Sequence, residues 1–189
     1  ISSAASDVYK RQLKDMPRKI QWVLDTQPKT IQAAAERMVN ANSFLFLGRH
    51  VGYPVALEGA LKLKEIAYTF TEGFAAGELK HGPIALVDEG EPVVFIVPPE
   101  RGRNVLHAKV ISGIEEVKAR GAYIIAVAEQ GDPDVERYAD VVFWRPACPT
   151  LMSPLVDVVP LQLFAMDMAK LKGYDVDKPR NLAKSVTVE

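Results

Sequence analysis

Three charged side chains near the middle of the chain have the spacing that acid–base chemistry needs. Glu58, Lys62 and Glu65 follow one another at intervals of four and three residues. On a helix these intervals place all three in one stripe about 60° wide. Two carboxylates beside one lysine can take different proton affinities and therefore different roles. A solvated ladder of ion pairs is the commoner origin of such a pattern.

The rest of that segment favours the chemical interpretation over the solvated one. Apolar residues occupy nearly all of the other positions from 54 to 68, and Lys64 is the main exception. An exposed helix normally carries a broad polar face, whereas this one has a narrow charged stripe. We therefore expect a mostly buried helix whose stripe faces a polar cavity or a subunit cleft.

The three histidines stand in different settings. His81 lies in a loop bounded by Gly77 and Gly82-Pro83, so it sits at a defined bend and can act as a proton shuttle. His50, just after a strand, and His107, early in a helix, have the pattern of structural residues.

Cys148 has no base near it in sequence and is expected to be an inert loop thiol. The Cys and His spacings match no metal site, so we expect no metal and no cofactor.

The elements that must position these groups alternate between strands and helices. Two short helices with Pro17 and Pro28 in their first turns are expected before residue 43. Continuous apolar runs predict four parallel strands with helices between them, and residues 69–74 can add an edge strand. The predicted strands are 44–47, 93–97, 123–128 and 141–144, and the predicted long helices are 54–68, 105–120 and 154–171. This pattern predicts an α/β fold: a flavodoxin-like, doubly wound, mostly parallel sheet with helices on both faces.

Bulk properties exclude several classes of protein. The 189 residues carry a formal net charge of -1 at a pI near 6.4, so no basic field attracts nucleic acid or anionic lipid. No sequence run approaches the roughly 20 apolar residues that span a bilayer. A single cysteine favours a reducing compartment, and we expect a cytoplasmic protein with no nucleic-acid or membrane partner.

The ends of the chain differ from its middle. Residues 1–12 are rich in Ser and Ala and resemble a translated adaptor scar; the alternative is an ordinary N-terminal tail without fixed structure. If they are a scar, we expect native sequence from Leu13 and a truncation upstream of it. Residues 13–173 form the predicted domain. Residues 174–189 form a predicted tail.

Four separated motifs occur in the order found in one enzyme family. They read LGR at 47–49, ALEGALKLKEI at 56–66, AGELKHGP at 76–83 and PRNLAKSVTVE at 179–189. In these motifs the chain closely resembles the C-terminal half of the glutamine–fructose-6-phosphate aminotransferases (isomerizing), the glucosamine-6-phosphate synthases. The matching part is the second sugar isomerase (SIS) domain with its terminal tail.

The resemblance implies a role for each matching residue. Glu65 would move a proton between sugar carbons 1 and 2, His81 would assist ring opening in a neighbouring subunit, and Lys184 would form a Schiff base with the open-chain ketose. The substrate-binding residues implied in the same way are Glu58, Lys62, Arg180 and Ala183. The partners implied are fructose-6-phosphate, glucosamine-6-phosphate and further copies of the chain in a homo-oligomer.

One departure from the wider SIS pattern limits this interpretation. SIS domains that bind sugar phosphates usually carry a serine-rich S-x-S-G-x-T loop, and this chain has none; the corresponding strand runs into Pro98-Pro99. The resemblance implies that a preceding SIS domain binds the phosphate and that a glutaminase before it supplies ammonia. We therefore expect the chain alone to be inactive. The alternatives are another SIS enzyme, such as a deglycase or deaminase, and a non-catalytic sugar-phosphate sensor.

Overall fold

The computed structural model describes residues 3–100 and 104–181, which form one α/β layer structure. The strands are β1 Ser43–Gly48, β2 Phe70–Ala75, β3 Pro92–Ile96, β4 Tyr123–Glu129 and β5 Val141–Arg145. The helices are α1 Ser3–Thr26, α2 Pro28–Met38, α3 Gly52–Ala67, α4 Asn104–Lys118, α5 Pro133–Tyr138 and α6 Pro154–Leu171. Short 3₁₀ turns occupy Leu79–His81, Pro83–Leu86 and Thr150–Met152.

The five strands form one parallel sheet in the order β2-β1-β3-β4-β5. This is the doubly wound, flavodoxin-like order, so the predicted fold class is confirmed. The predicted edge strand is also present, as β2. The chain leaves β1 toward one edge of the sheet and β3 toward the other, which creates a crevice where the strand order reverses.

The two faces of the sheet are covered by separate helix layers. Side chains alternate along each strand, so Phe44 and Phe46 pack beneath α2, α3 and α6. Leu45 and Leu47 point the other way and pack beneath α4 and α5. Strand β3 is buried at every position, as the near-continuous apolar runs predicted.

The N-terminal helix differs from the sequence prediction. We expected two short helices with Pro17 in a first turn, but α1 is one helix of 24 residues with Pro17 inside it. Its buried Met16 and Val23 pack against α6, and this tertiary contact outweighs the backbone hydrogen bond that the proline removes. Pro28 does occupy the first turn of α2, as predicted.

One helical segment passes a length and composition test for a membrane span. Residues Thr150–Leu171 reach a mean hydropathy of 1.3, although half of the tested window is buried inside the fold. Helix α6 packs Leu161, Phe164 and Met168 against the sheet and α3. Those contacts are what the central helix of a packed domain makes, and they account for its apolar composition.

A buried ion cluster joins the end of the sheet to α6. Arg145, at the end of β5, is fully buried; its guanidinium pairs with the buried carboxylate of Asp157 and lies 3.2 Å from a Glu129 oxygen. Burial raises the pKa of Asp157, and the positive charge of Arg145 opposes that rise. Removing either residue would therefore leave the other charge buried without its partner, which would destabilise the fold.

Candidate active site

The predicted charged stripe exists on α3. The Lys62 ammonium lies 2.7 Å from a Glu65 oxygen and 3.4 Å from a Glu58 oxygen, so one cation bridges two carboxylates. The three side chains are 41%, 31% and 26% exposed for Glu58, Lys62 and Glu65. They therefore form a half-open surface rather than an enclosed pocket.

The bridge fixes the charge of Lys62. The hydrogen bond that the Lys62 ammonium donates to Glu65 raises the pKa of Lys62. Partial burial works against this rise, and the negative charge of Glu58 adds to it. A lysine held in its ammonium form is a poor nucleophile. Lys62 can neutralise negative charge on a substrate, and the bridge involves one of the two Glu65 carboxylate oxygens.

The surroundings of the stripe correct one expectation. We predicted a mostly buried helix, but only one side of α3 is buried, and an exposed side lies next to the stripe. That exposed side is mainly apolar: Leu57 and Leu61 are each 41% exposed and Tyr53 is 37% exposed. The sequence pattern could not separate these residues from the core, because both are apolar and only the packing of neighbours distinguishes them.

Two glycines allow α3 to lie close to its neighbours. A Cβ atom at Gly59 would come within 2.6 Å of Leu161 in α6, and one at Gly73 within 2.8 Å of Leu57. Larger residues there would push α3 away from α6 or from β2. The close packing fixes the direction in which the stripe faces.

The start of the C-terminal tail is attached to the end of the same helix. Tyr68, in a left-handed conformation just after α3, accepts a hydrogen bond from the Arg180 backbone N–H at 2.7 Å. The Arg180 guanidinium lies 4.2 Å from the centre of the Tyr68 ring and 5.9 Å from that of Tyr174. The two tyrosine rings contact each other edge to face. Arg180, predicted to bind substrate, thus contacts these two rings here, while Ala183 and Lys184 lie outside the described residues.

His81 lies on the other side of the sheet from Glu65. Leu79, two residues before it, is buried among the residues beneath α4, and Lys80 pairs with Glu116 of α4 at 2.7 Å. Glu65 belongs to α3, which covers the opposite face. The described part of one chain therefore does not bring His81 and Glu65 into one site.

The other singled-out residues have structural surroundings. The buried His107 shares a hydrogen bond of 2.8 Å with Asp132, which also caps α5. Asp134 lies close enough to these two residues for the three side chains to form a possible metal-ion site.

His50 has a positive φ of 55° just after β1. Cys148 is buried beside Arg145, and that burial raises the pKa of its thiol, as suits an unreactive group.

Sequence reasoning missed two groups that the structure reveals. One is the tyrosine pair that holds Arg180; its only signal was the position of Tyr68 directly after the α3 motif. The other is a set of cations around a cavity beside α4, formed by Arg49, Lys80 and Lys109. These residues are 31 and 29 positions apart, so no local pattern joins them.

The five-stranded parallel sheet with helices on both faces places the chain in the doubly wound class of α/β domains. The chain belongs to the SIS domain family, whose model matches residues 37–172. The expected family is thereby confirmed.

Relatives and solved structures agree with this assignment. The chain is 63% identical over 177 residues to the glutamine–fructose-6-phosphate aminotransferase (isomerizing) of Corynebacterium efficiens, and 57% identical over 179 residues to that of Streptomyces coelicolor. These alignments cover 94% and 95% of this chain but 28% and 29% of the relatives. The chain thus spans less than a third of the relatives' length.

The structural comparisons separate close from distant similarity. The C-terminal domain of glucosamine-fructose-6-phosphate aminotransferase from Francisella tularensis superposes with a TM-score of 0.85 at 36% identity, covering 95% of this chain and 49% of that one. The sugar isomerase domain of the RpiR transcription factor from Sphaerobacter thermophilus has a TM-score of 0.72 at 17% identity, covering 86% of this chain and 90% of that one. The second likeness concerns the fold alone.

Proposed function

We propose that this chain is the isomerase half-site of a glucosamine-6-phosphate synthase. It would help convert fructose-6-phosphate and ammonia derived from glutamine into glucosamine-6-phosphate and water. The observation that carries the proposal is that the end of one helix holds both the Glu65–Lys62–Glu58 stripe and the start of the tail.

The geometry supports a role for the tail lysine. Glu65 lies in the last turn of α3, and Tyr68 directly follows that helix, so the two residues are close along the chain. Lys184 follows Arg180 by four residues, and an extended chain of that length reaches roughly 14 Å. Lys184 can thus come within reach of a sugar bound over Glu65.

The chemistry divides between these groups. The Lys184 amine would condense with the C2 carbonyl of the open-chain ketose and release water, and ammonia would then displace the lysine. Glu65 would take the proton from C1 and return it to C2, while the C1 hydroxyl proton passes to the imine nitrogen, which converts the ketose imine into the aldose amine. The Lys62 ammonium, beside Glu58, would stabilise charge that develops on the sugar oxygens.

A second copy of the chain would complete the site. Since the turn that carries His81 packs on the α4 side of the sheet and Glu65 belongs to α3 on the other side, we propose that His81 opens the sugar ring in a neighbouring subunit of a homo-oligomer. His81 is exposed, as a residue that acts on a partner's substrate must be.

A preceding SIS domain would supply the phosphate site. The exposed apolar side of α3, next to the stripe, gives such a domain a surface to cover. We propose that this domain and a glutaminase stand before the chain in the complete protein, and that the Glu65 stripe of the chain alone binds fructose-6-phosphate weakly. We also propose a cytoplasmic location, which the single cysteine favours.

Replacing the base in the complete protein tests this function. Glu65→Gln keeps the size of the side chain and removes the base, so synthesis of glucosamine-6-phosphate should fall at least about 100-fold, while glutamine hydrolysis largely persists. Glu72→Gln, at an exposed position of β2, is the matched control and should leave both rates unchanged. Normal synthesis in Glu65→Gln, or equal loss of both activities, would contradict the proposal.

A further inference from the structure

A small cavity lies against the face of the sheet that α3 does not cover. It has a volume of about 170 Å³ and is bounded by the residues that follow β1 and β2 and by one side of α4. The cavity therefore lies outside the carboxyl ends of β1 and β2, beside α4. Doubly wound folds commonly bind ligands outside the carboxyl ends of their strands.

The charges around this cavity are unbalanced. Arg49, Lys80 and Lys109 line it, and Glu116 is the one acidic residue among the described lining residues. Glu116 pairs with Lys80 at 2.7 Å, whereas Arg49 and Lys109 form no ion pair with any residue that the structure describes. The lining therefore carries two positive charges in excess.

Arg49 also has a buried donor atom that an anion could satisfy. Its Nε atom is buried and has no hydrogen-bond partner among the described residues. A buried donor without a partner is costly, and arginine matches phosphate and carboxylate oxygens especially well. The guanidinium lies against Gly77, where a Cβ atom would come within 3.3 Å of Nη2, so the loop holds the group at the cavity wall.

We propose that this cavity binds a dianionic phosphate group. Arg49 and Lys109, the two cations of the lining without a described ion pair, match the charge of a dianionic phosphate. The volume holds a few waters or one phosphate group and is smaller than the pockets that enclose whole organic ligands. The site is separate from the Glu65 stripe, because the sheet lies between them.

Binding of inorganic phosphate and of glycerol 3-phosphate to the chain at low ionic strength tests this site. We expect saturable binding of inorganic phosphate, followed by calorimetry, that weakens as salt is added. Lys109→Gln and Arg49→Gln should each weaken it at least about tenfold, since each removes a charged contact. Lys29→Gln, which removes an exposed cation on α2, is the matched control and should stay within about twofold of the unchanged chain.

The outcomes distinguish the possible ligands. Equal affinity for both probes supports free phosphate, and tighter glycerol 3-phosphate supports a phosphate monoester. Absence of saturable phosphate binding, or full binding in Lys109→Gln, overturns the site. Lys109 is exposed, so this variant decides the question even if Arg49→Gln loses its fold, which circular dichroism would reveal. None of these results depends on Glu65. A failure of the phosphate site therefore leaves the role proposed for Glu65 intact, and the Glu65→Gln experiment tests that role separately.

Discussion

The backbone amide of Arg180 donates a hydrogen bond to the Tyr68 hydroxyl, at 2.7 Å. This contact joins residues that are 112 positions apart and attaches the tail to the helix that carries Glu65. The Arg180 side chain covers the same tyrosine ring, so one residue holds both the backbone and the side chain of Arg180.

Removing the Tyr68 hydroxyl should loosen the tail without removing the ring. In Tyr68→Phe we expect the Arg180 amide to exchange with solvent a few-fold faster, about the effect of one exposed hydrogen bond. Tyr68→Ala also removes the stacked ring and should have a larger effect. Hydrogen exchange measured by NMR on the chain checks both.

Tyr174→Phe provides the control for this prediction. It keeps the ring that lies 5.9 Å from the Arg180 guanidinium, so exchange at Arg180 should change little. An Arg180 amide that exchanges equally fast in all three variants would show that Tyr68 does not hold the tail.

The charge of Lys62 should depend on Glu65 more than on Glu58. Because the folded-state pKa lies above the ordinary value of 10.5, ionised Lys62 stabilises the fold below that pH, and this contribution is lost as the pH rises through the folded pKa. Glu65→Gln should lower the Lys62 pKa, and Glu58→Gln should lower it less. NMR titration of the Lys62 side chain measures both; a larger effect of Glu58→Gln would contradict the assigned bridge.

Breaking the buried ion pair of Arg145 and Asp157 should lower the free energy of unfolding more than replacing both residues with apolar ones. Asp157→Asn leaves a buried guanidinium with less compensation, so the free energy of unfolding should fall by about 3 kcal/mol. The double variant Arg145→Leu/Asp157→Leu removes both charges and should be less destabilised than the sum of its single variants. Urea unfolding of the chain compares them, and strictly additive losses would refute the coupling.

The exposed apolar side of α3 should matter for assembly rather than for folding. Leu61→Gln changes a residue that is 41% exposed, so the free energy of unfolding of the chain should shift by less than about 0.5 kcal/mol. In the complete protein the same change should reduce synthesis, because it places a polar group in the proposed contact with the preceding domain. Leu151→Gln, at a residue that is 74% exposed in a 3₁₀ turn, is the control and should leave synthesis unchanged.

Sequence alone predicted the parallel sheet and the charged stripe, because each depends on local periodicity. Continuous apolar runs are typical of strands buried on both faces. Helix α6 was predicted with its exact bounds, Pro154–Leu171. Glu58, Lys62 and Glu65 meet because helix geometry alone brings such positions together. None of these predictions required knowledge of which elements pack side by side.

Most of the features that sequence missed depend on contacts between distant segments. The ring of Tyr68 meets Arg180, and Arg145 meets Asp157, only because the sheet order brings their elements together. The exposure of Leu61 could not be predicted either, since an apolar residue awaiting a partner has the same composition as one in the core. Helix α5 was missed because its six residues are too few to show a period.

The placement of Glu65 and His81 on opposite faces of the sheet has a genetic consequence. On the proposed subunit arrangement, each site takes its carboxylate from one polypeptide and its imidazole from another. A cell that carries one allele with Glu65→Gln and a second allele with His81→Ala would then assemble some mixed oligomers with intact sites. Two inactive alleles would restore growth together, whereas two alleles altered at Glu65 would not.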